Sequence, residues 1–227
     1  MTDGAANLGD DRVLRSWSAN VTSWTDAVRD RKIESRNLVT DDAVIGVVTE
    51  LGPLTVLDLG CGEGWLARRL AGTGAKVTGV DAIPGLIEQA RSAGGGEFFT
   101  ASYEEIASGG LDLKVDAVVA NFSLIGKEAV DDVVRAVPRL LNPGGSFVVQ
   151  TLHPHVATGD LPYVDGWREG TWAGFGPEFT DPAPWYFRTV ATWISLVVGS
   201  GLKLTALREP IDPRSGRPAS LILVGSM

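Results

Sequence analysis

The sequence predicts an α/β fold: a seven-stranded, mostly parallel sheet with helices on both faces. Three observations carry the prediction. Short apolar runs of strand length alternate with segments of helical composition from 54 to 152, the pattern of repeated β-α-β units. A glycine-rich turn, Gly60-Cys61-Gly62-Glu63-Gly64, joins the first run to the helix after it. The chain has 227 residues, 44% hydrophobic and 21% charged, which suits a single globular domain with room for a lid.

The elements follow in order. Residues 1–10 read as a frayed tail. Val13, Trp17, Val21, Trp24 and Val28 form one apolar stripe, so 13–37 holds one or two amphipathic helices. Thr40 reads as the N-cap of a helix that Gly52-Pro53 ends. Residues 54–59 are the first strand, 65–71 a helix and 76–80 the second strand. A helix over 84–93 carries proline in its first turn. Residues 97–101 and 115–120 are strands three and four. In the helix over 128–141, Pro138 predicts a kink or a local tightening. A turn at 142–145 leads into strand five at 146–152.

The stretch 153–187 breaks the rhythm. It holds Pro154, Pro162, Pro177, Pro182 and Pro184 together with Tyr163, Trp167, Trp172, Phe175, Phe179, Trp185, Tyr186 and Phe187. An irregular segment this long in a small domain is usually functional, and it reads as an aromatic lid inserted after strand five. A helix over 189–198 and strands at 202–207 and 221–224 complete the sheet. The expected organisation is an N-terminal helical cap at 1–40 and a main domain at 41–227.

Composition narrows the function. The net charge of -8 repels phosphate backbones, which argues against a nucleic-acid partner. Cys61 is the single cysteine and there are two histidines, so no intramolecular disulfide and no metal site is expected. The first eleven residues lack the apolar core of a signal peptide, and no apolar run reaches membrane-spanning length. The expected location is the cytoplasm.

The glycine turn and the acid after strand two carry the chemistry. Glycines without Cβ let the backbone bend sharply and approach a ligand closely. Asp81 ends strand two, 23 residues after Asp58, where an acid accepts hydrogen bonds from ribose hydroxyls. Together they imply an adenosine-containing ligand at the carboxyl edge of the sheet. A nicotinamide fingerprint needs G-x-G-x-x-G, and here Trp65 stands where its third glycine belongs. Asp58 beside the turn would repel a pyrophosphate but suits a ligand carrying ammonium and sulfonium charges.

On these motifs the chain resembles the class I S-adenosylmethionine-dependent methyltransferases, whose fold is Rossmann-like. VLDLGCGEG at 56–64 is similar to the first motif of that family and GVDAIP at 79–84 to its second. DAVVANFSLI at 116–125 and LNPGGSFVVQTLHP at 141–154 resemble its fourth- and fifth-strand motifs. The resemblance implies S-adenosylmethionine as cofactor, S-adenosylhomocysteine as product and a small-molecule methyl acceptor. It implies that Asp58, Gly60, Cys61 and Gly62 line the methionine part, that Asp81 holds the ribose, and that Ala82 and Ile83 flank the adenine. Asn121 and Phe122 would approach the sulfonium and the acceptor. Where the family often has an Asp contacting the adenine amino group, this chain has Ser102 followed by Tyr103. Asn121-Phe122-Ser123 also departs from the Asn/Asp-Pro-Pro-Tyr motif of enzymes that methylate exocyclic amines.

Other readings stand beside this one. His153 and His155 follow strand five at the ligand-binding edge, and each is a candidate general base or a loop histidine satisfied by backbone. The thiol of Cys61 reads as a small buried filler. Arg29 or Arg36 would meet the cofactor carboxylate if the N-terminal segment folds over it. The aromatic lid suggests an apolar or ring-bearing acceptor. A nicotinamide-dependent oxidoreductase and a non-catalytic cofactor binder are the alternatives.

Overall fold

Seven strands form one sheet in the order β3-β2-β1-β4-β5-β9-β8 in the computed structural model, which describes residues 8–227. The first seven residues of the expected tail lie outside the described residues. The strands are β1 (Thr55–Leu59), β2 (Lys76–Asp81), β3 (Glu97–Thr100), β4 (Val115–Asn121), β5 (Leu141–Leu152), β8 (Lys203–Arg208) and β9 (Ser220–Ser226). β1 to β5 pair in parallel, and β9 runs antiparallel between β5 and β8. The chain reverses direction across the sheet between β1 and β4, which opens a crevice beyond the carboxyl ends of these strands.

Both faces are covered. Val56 of β1 joins a core with Val44, Val47 and Val48 of α3 (Asp41–Leu51), Leu66 and Leu70 of α4 (Trp65–Ala71) and Ile87 of α5 (Pro84–Ala93). Leu57 and Leu59 face the other way. They join Ile106 of α6 (Tyr103–Ala107), Val133 and Val137 of α7 (Glu128–Leu140) and Trp193 of α9 (Val190–Gly199). Alternate side chains of one strand thus feed two cores, because successive residues point to opposite faces.

Several local expectations are corrected. Thr40 does not cap α3. Its backbone is already helical, and residues Arg36–Thr40 form a π-type turn running into α3. α7 continues through Pro138 and ends at Leu140. Proline there removes one N–H donor and crowds the carbonyl four residues back, in keeping with a helix that ends two residues later. The expected turn at 142–145 lies within β5, whose pairing with β4 shifts register between Val115 and Ala117. Two short helices, α6 and α8 (Pro154–Ala157), were not anticipated, and neither was a ribbon of β6 (Gly166–Arg168) and β7 (Trp185–Phe187).

The N-terminal helices α1 (Asp10–Ala19) and α2 (Val21–Arg29) pack with the lid rather than beneath the sheet. Asn20 is fully buried between them. Its side-chain amide donates to Thr180 O (2.7 Å), and its Oδ1 accepts from Thr180 N–H (2.9 Å), so one side chain satisfies both backbone groups of a lid residue. Ser16 donates to Asp181 O and Ser23 to Glu178 O. Asp10 reaches the sheet domain, where its two carboxylate oxygens accept the N–H groups of Lys127 and Ala129 (both 2.8 Å) at the start of α7. A carboxylate is well placed there because the first N–H groups of a helix lack intrahelical partners.

The lid returns to the core through Arg188, which is 2% exposed. Its guanidinium donates to Gly126 O (2.9 Å), Lys127 O (3.1 Å) and Asp131 (2.7 Å). Asp131 is held below the usual carboxylate range by Lys127 and Arg188, against the opposing effect of its burial. Arg188→Met removes a buried cation and strands its acceptors. It is expected to cost about 3 kcal/mol, read as a lowered midpoint at unchanged slope in urea unfolding. Lys127→Met, whose partner Asp131 keeps Arg188, is expected to cost less.

Candidate active site

A cavity of about 550 Å³ opens above the carboxyl ends of β1, β2 and β4, roofed by α1, α2 and the lid. Its floor is the glycine turn. Gly60 has φ of 76°. A Cβ there would run into the Ser123 side chain and lie 2.6 Å from Tyr103 Oη. The position therefore admits no side chain, on conformational and steric grounds alike. Gly64 lets the turn pack closely against β3 and α5. A Cβ on it would lie 3.0 Å from Phe98 and 3.1 Å from Ala90. Trp65 is half-buried and lines the cavity, with the Arg36 guanidinium 4.3 Å from its ring centroid.

Asp81 braces the turn. Its Oδ2 accepts from Gly62 N–H (2.9 Å) and its Oδ1 from Ile83 N–H (2.9 Å). Each oxygen keeps a further lone pair, and the residue lines the cavity. Burial raises its pKa, opposed by these two N–H donors. Asp58 lies behind the turn, 1% exposed, with Oδ2 lacking a partner. Its pKa is pushed up to about 7, chiefly by burial and then by the charge of Asp81, with the Ala67 backbone N–H and then Arg36 opposing. The thiol of Cys61 is buried. Burial first, and the charges of Asp58 and Asp81 next, push its pKa up, which suppresses the thiolate.

The structure brings Gly60, Cys61, Gly62, Asp81, Ala82, Ile83, Tyr103, Asn121 and Phe122 together on the cavity wall. Tyr103 donates to Ser123 O (3.1 Å), and Ser123 donates to Leu59 O (2.6 Å), tying α6 and the end of β4 to the turn. Phe122 takes a positive φ of 54° while its N–H donates to Gln150 O (2.8 Å). That is a costly conformation for a bulky residue, and it sets the ring on the cavity wall. Asn121 Oδ1 is buried without a partner.

Four sequence candidates lie outside the lining: Asp58, behind the turn, and Ser102, His153 and His155. Ser102 is outside the lining and caps α6, accepting from Glu105 N–H (3.2 Å) while its own N–H donates to Glu105 Oε2 (2.7 Å). His153 is 5% exposed and sits against Glu209, Nε2 to Oε1 2.7 Å, with Nδ1 unpartnered. His155 is exposed on α8. Neither ring lines the cavity, although Pro154 between them does. Of the two arginines, Arg29 is committed to the buried Glu63 (3.1 Å), which Arg68 also grips (2.7 Å). Arg36 lines the cavity and engages Asp41 through Nε (3.0 Å). Sequence reasoning passed over Asp10 and Arg188, because their roles arise from contacts more than fifty residues away in the chain.

Comparison with known proteins agrees with this geometry. The sequence model of a methyltransferase domain family matches residues 56–145. The ubiquinone biosynthesis O-methyltransferase of Xanthomonas oryzae pv. oryzae is 32% identical over 146 residues, covering 62% of this chain and 60% of that protein. The malonyl-[acyl-carrier protein] O-methyltransferase of Pseudescherichia vulneris is 29% identical over 121 residues, covering 53% of this chain and 46% of that protein. The chain thus spans about 60% or less of the length of these relatives. Among solved structures, an S-adenosylmethionine dependent methyltransferase from Mesorhizobium loti aligns with a TM-score of 0.63 at 24% identity, covering 82% of this chain and 96% of that one. The 1,6-didemethyltoxoflavin-N1-methyltransferase of Burkholderia thailandensis, bound to 1,6-didemethyltoxoflavin and S-adenosylhomocysteine, aligns with a TM-score of 0.67 at 16% identity, covering 95% and 87%. At these identities the structural likeness is one of fold.

The environment of Asp58 sets a pH dependence. Its pKa rises from 3.8 in the unfolded chain to about 7, so between those values the folded state holds more protons. Stability then falls as pH rises through that window, and Asp81, also raised, acts in the same direction. The melting temperature of the ligand-free protein is expected to fall between pH 5 and pH 8. The fall should be shallower in Asp58→Asn, as scanning calorimetry at both pH values would show.

Proposed function

We propose that this protein, whose residues 56–145 match a methyltransferase domain family, is a class I S-adenosylmethionine-dependent methyltransferase that transfers a methyl group from S-adenosylmethionine to a small-molecule acceptor in the cavity. The observation that carries the reading is the glycine turn braced by Asp81 above the buried carboxylate of Asp58, whose Oδ2 lacks a partner. The residues present fit the cofactor. Gly60 keeps the floor free of side chains, and Asp81 offers free lone pairs for a ribose diol. Asp58 Oδ2 and Asn121 Oδ1 are orphaned acceptors suited to an ammonium or sulfonium neighbour. Ala82 and Ile83 would flank the adenine, and Tyr103 would pack beside it. Arg36, with five N–H donors, would meet the carboxylate.

When bound, the cofactor supplies an activated methyl group on a cationic sulfur. The protein aligns the acceptor, excludes water and lets a proton leave. Phe122, pinned by its backbone, and the rings of the lid form the dry wall. Both imidazoles lie outside the cavity, so neither is placed to take the proton of an oxygen or nitrogen nucleophile. In this reading the helices within 1–40 and the lid at 153–187 close together, since Asn20 and Thr180 join them. The acidic net charge disfavours nucleic acid as acceptor. The single cysteine suits the reducing cytoplasm, and among the described residues no helix is long and apolar enough to cross a membrane.

Calorimetric titration tests the assignment. S-adenosylmethionine and S-adenosylhomocysteine are expected to bind at micromolar concentration, and NAD is not. Asp81→Ala is expected to weaken binding tenfold or more, about 1.4 kcal/mol. Binding of NAD alone, or of none of the three, overturns the reading. Arg36→Met should weaken S-adenosylhomocysteine but leave 5′-methylthioadenosine, which lacks the carboxylate, unchanged. Equal weakening of both would remove Arg36 from the carboxylate site.

A further inference from the structure

Trp17 on α1 lines the cavity, and its indole N–H is shielded from solvent without a hydrogen-bond partner. Buried indole donors ordinarily find an acceptor. The neighbouring Trp172 does so, donating to Thr180 O at 2.9 Å. The Trp17 ring is held edge-on by Trp24 at 4.9 Å and by Trp172 at 5.8 Å, so packing fixes the direction of its N–H. Trp24 Nε1 in turn lies 3.7 Å from where a Cβ on Gly62 would be. Trp17 therefore stands one ring away from the glycine turn, on the side roofed by the lid.

The charges around the cavity are already committed, the exposed Glu104 excepted. Arg188 is bound to Asp131 and two carbonyls, and Arg36 to Asp41. Glu63 is bound to Arg29 and Arg68, and Asp10 to the start of α7. An anionic acceptor would find no cation spare for it beyond Arg36, which the cofactor carboxylate claims. The remaining wall is aromatic, with Trp172, Phe175, Trp185 and Tyr186 beside Trp17. Flat rings gain most from such a wall, through stacking and edge contacts as well as burial.

We propose that Trp17 Nε1 donates a hydrogen bond to the methyl acceptor, and that this acceptor is an uncharged, flat, ring-bearing molecule presenting a carbonyl or ring nitrogen to it. The inference rests on the reading above, in which the cofactor fills the glycine-turn end of the cavity and the acceptor the lid end. Trp17 is then a specificity-determining residue, and the acceptor supplies the partner that its indole lacks.

The test uses three probes of one shape on protein saturated with S-adenosylhomocysteine: naphthalene with no acceptor atom, quinoline with one ring nitrogen, and 2-naphthoate with a negative charge. Affinity is measured by titration, and the indole N–H resonances are followed by two-dimensional NMR. Quinoline is expected to bind more tightly than naphthalene by about fivefold, the worth of one buried hydrogen bond, with 2-naphthoate weakest. Trp17→Phe keeps a ring but loses the donor, and should abolish the preference for quinoline while leaving naphthalene unchanged. Trp172→Phe, which removes a donor already bound to Thr180, should retain the preference. In the wild type, quinoline should shift the indole resonance that the Trp17→Phe spectrum lacks. If that variant fails to fold, the resonance is assigned by backbone experiments and its shift decides alone. Equal affinity for quinoline and naphthalene, a preference that survives Trp17→Phe, tightest binding of 2-naphthoate, or no binding of any probe would each overturn the proposal. Failure of S-adenosylhomocysteine itself to bind would strike the cofactor reading instead.

Discussion

The hydrogen bond from Gly62 N–H to the Asp81 carboxylate is the constraint on which the site depends. It ties the turn after β1 to the end of β2, two adjacent parallel strands, and holds open a floor that no side chain can occupy. The backbone of Gly60 and Cys61 reinforces it, since both N–H groups donate to Val80 O at 2.8 and 2.9 Å. With these bonds in place, the first turn of α4 is aimed, Tyr103 and Ser123 can close over Gly60, and Asp58 is sealed behind the loop. Loss of the carboxylate would free two backbone donors in a water-poor setting, where unpaired groups are expensive. A single acid is therefore expected to affect both the shape of the floor and its ability to hold a ligand.

The roof obeys a different logic. α1, α2 and the lid come from opposite ends of the sequence, and the sheet does little to order them. They order one another through Asn20, whose amide mimics a strand partner for Thr180, and through a cluster of interlocked rings. Trp172 and Phe179 approach to 4.8 Å, as do Phe175 and Phe179. Asp10 and Arg188 then anchor this assembly to the two ends of one short stretch, 126–131, at the start of α7. Both anchors are electrostatic: Asp10 accepts N–H groups that the helix start leaves unpaired, and Arg188 donates to the carbonyls of Gly126 and Lys127 and to Asp131. The roof can consequently be tight where it meets α7 while its aromatic interior stays adaptable to a ligand.

The parts of the site also differ in how they treat charge. The floor buries carboxylates that lack counter-ions, a costly arrangement in the ligand-free protein that a cationic ligand would relieve. The walls near the lid contain few polar atoms, and those present are nearly all paired. A polar, acidic half and a dry aromatic half of one cavity suit two ligands of unlike chemistry meeting at their boundary, where Asn121 and the strained Phe122 sit.

What the sequence determined by itself was local or periodic. Strand and helix order, the glycine turn and the acid ending β2 were legible because apolar period, Cβ-free positions and fixed spacing each leave a trace within a few residues. Nine of the residues that the family resemblance implied for the site line the cavity, each at or within three residues of a strand end. Tertiary structure alone decided the rest. Whether His153 faces a ligand or Glu209 depends on where the chain runs 56 residues later. Whether Ser102 binds a ligand or caps a helix depends on the short α6, whose five residues are too few to leave a period. Whether Trp17 is core or cavity wall depends on a lid more than 150 residues away. Each of these turns on which distant groups reach a side chain first, and that competition has no signature in local sequence.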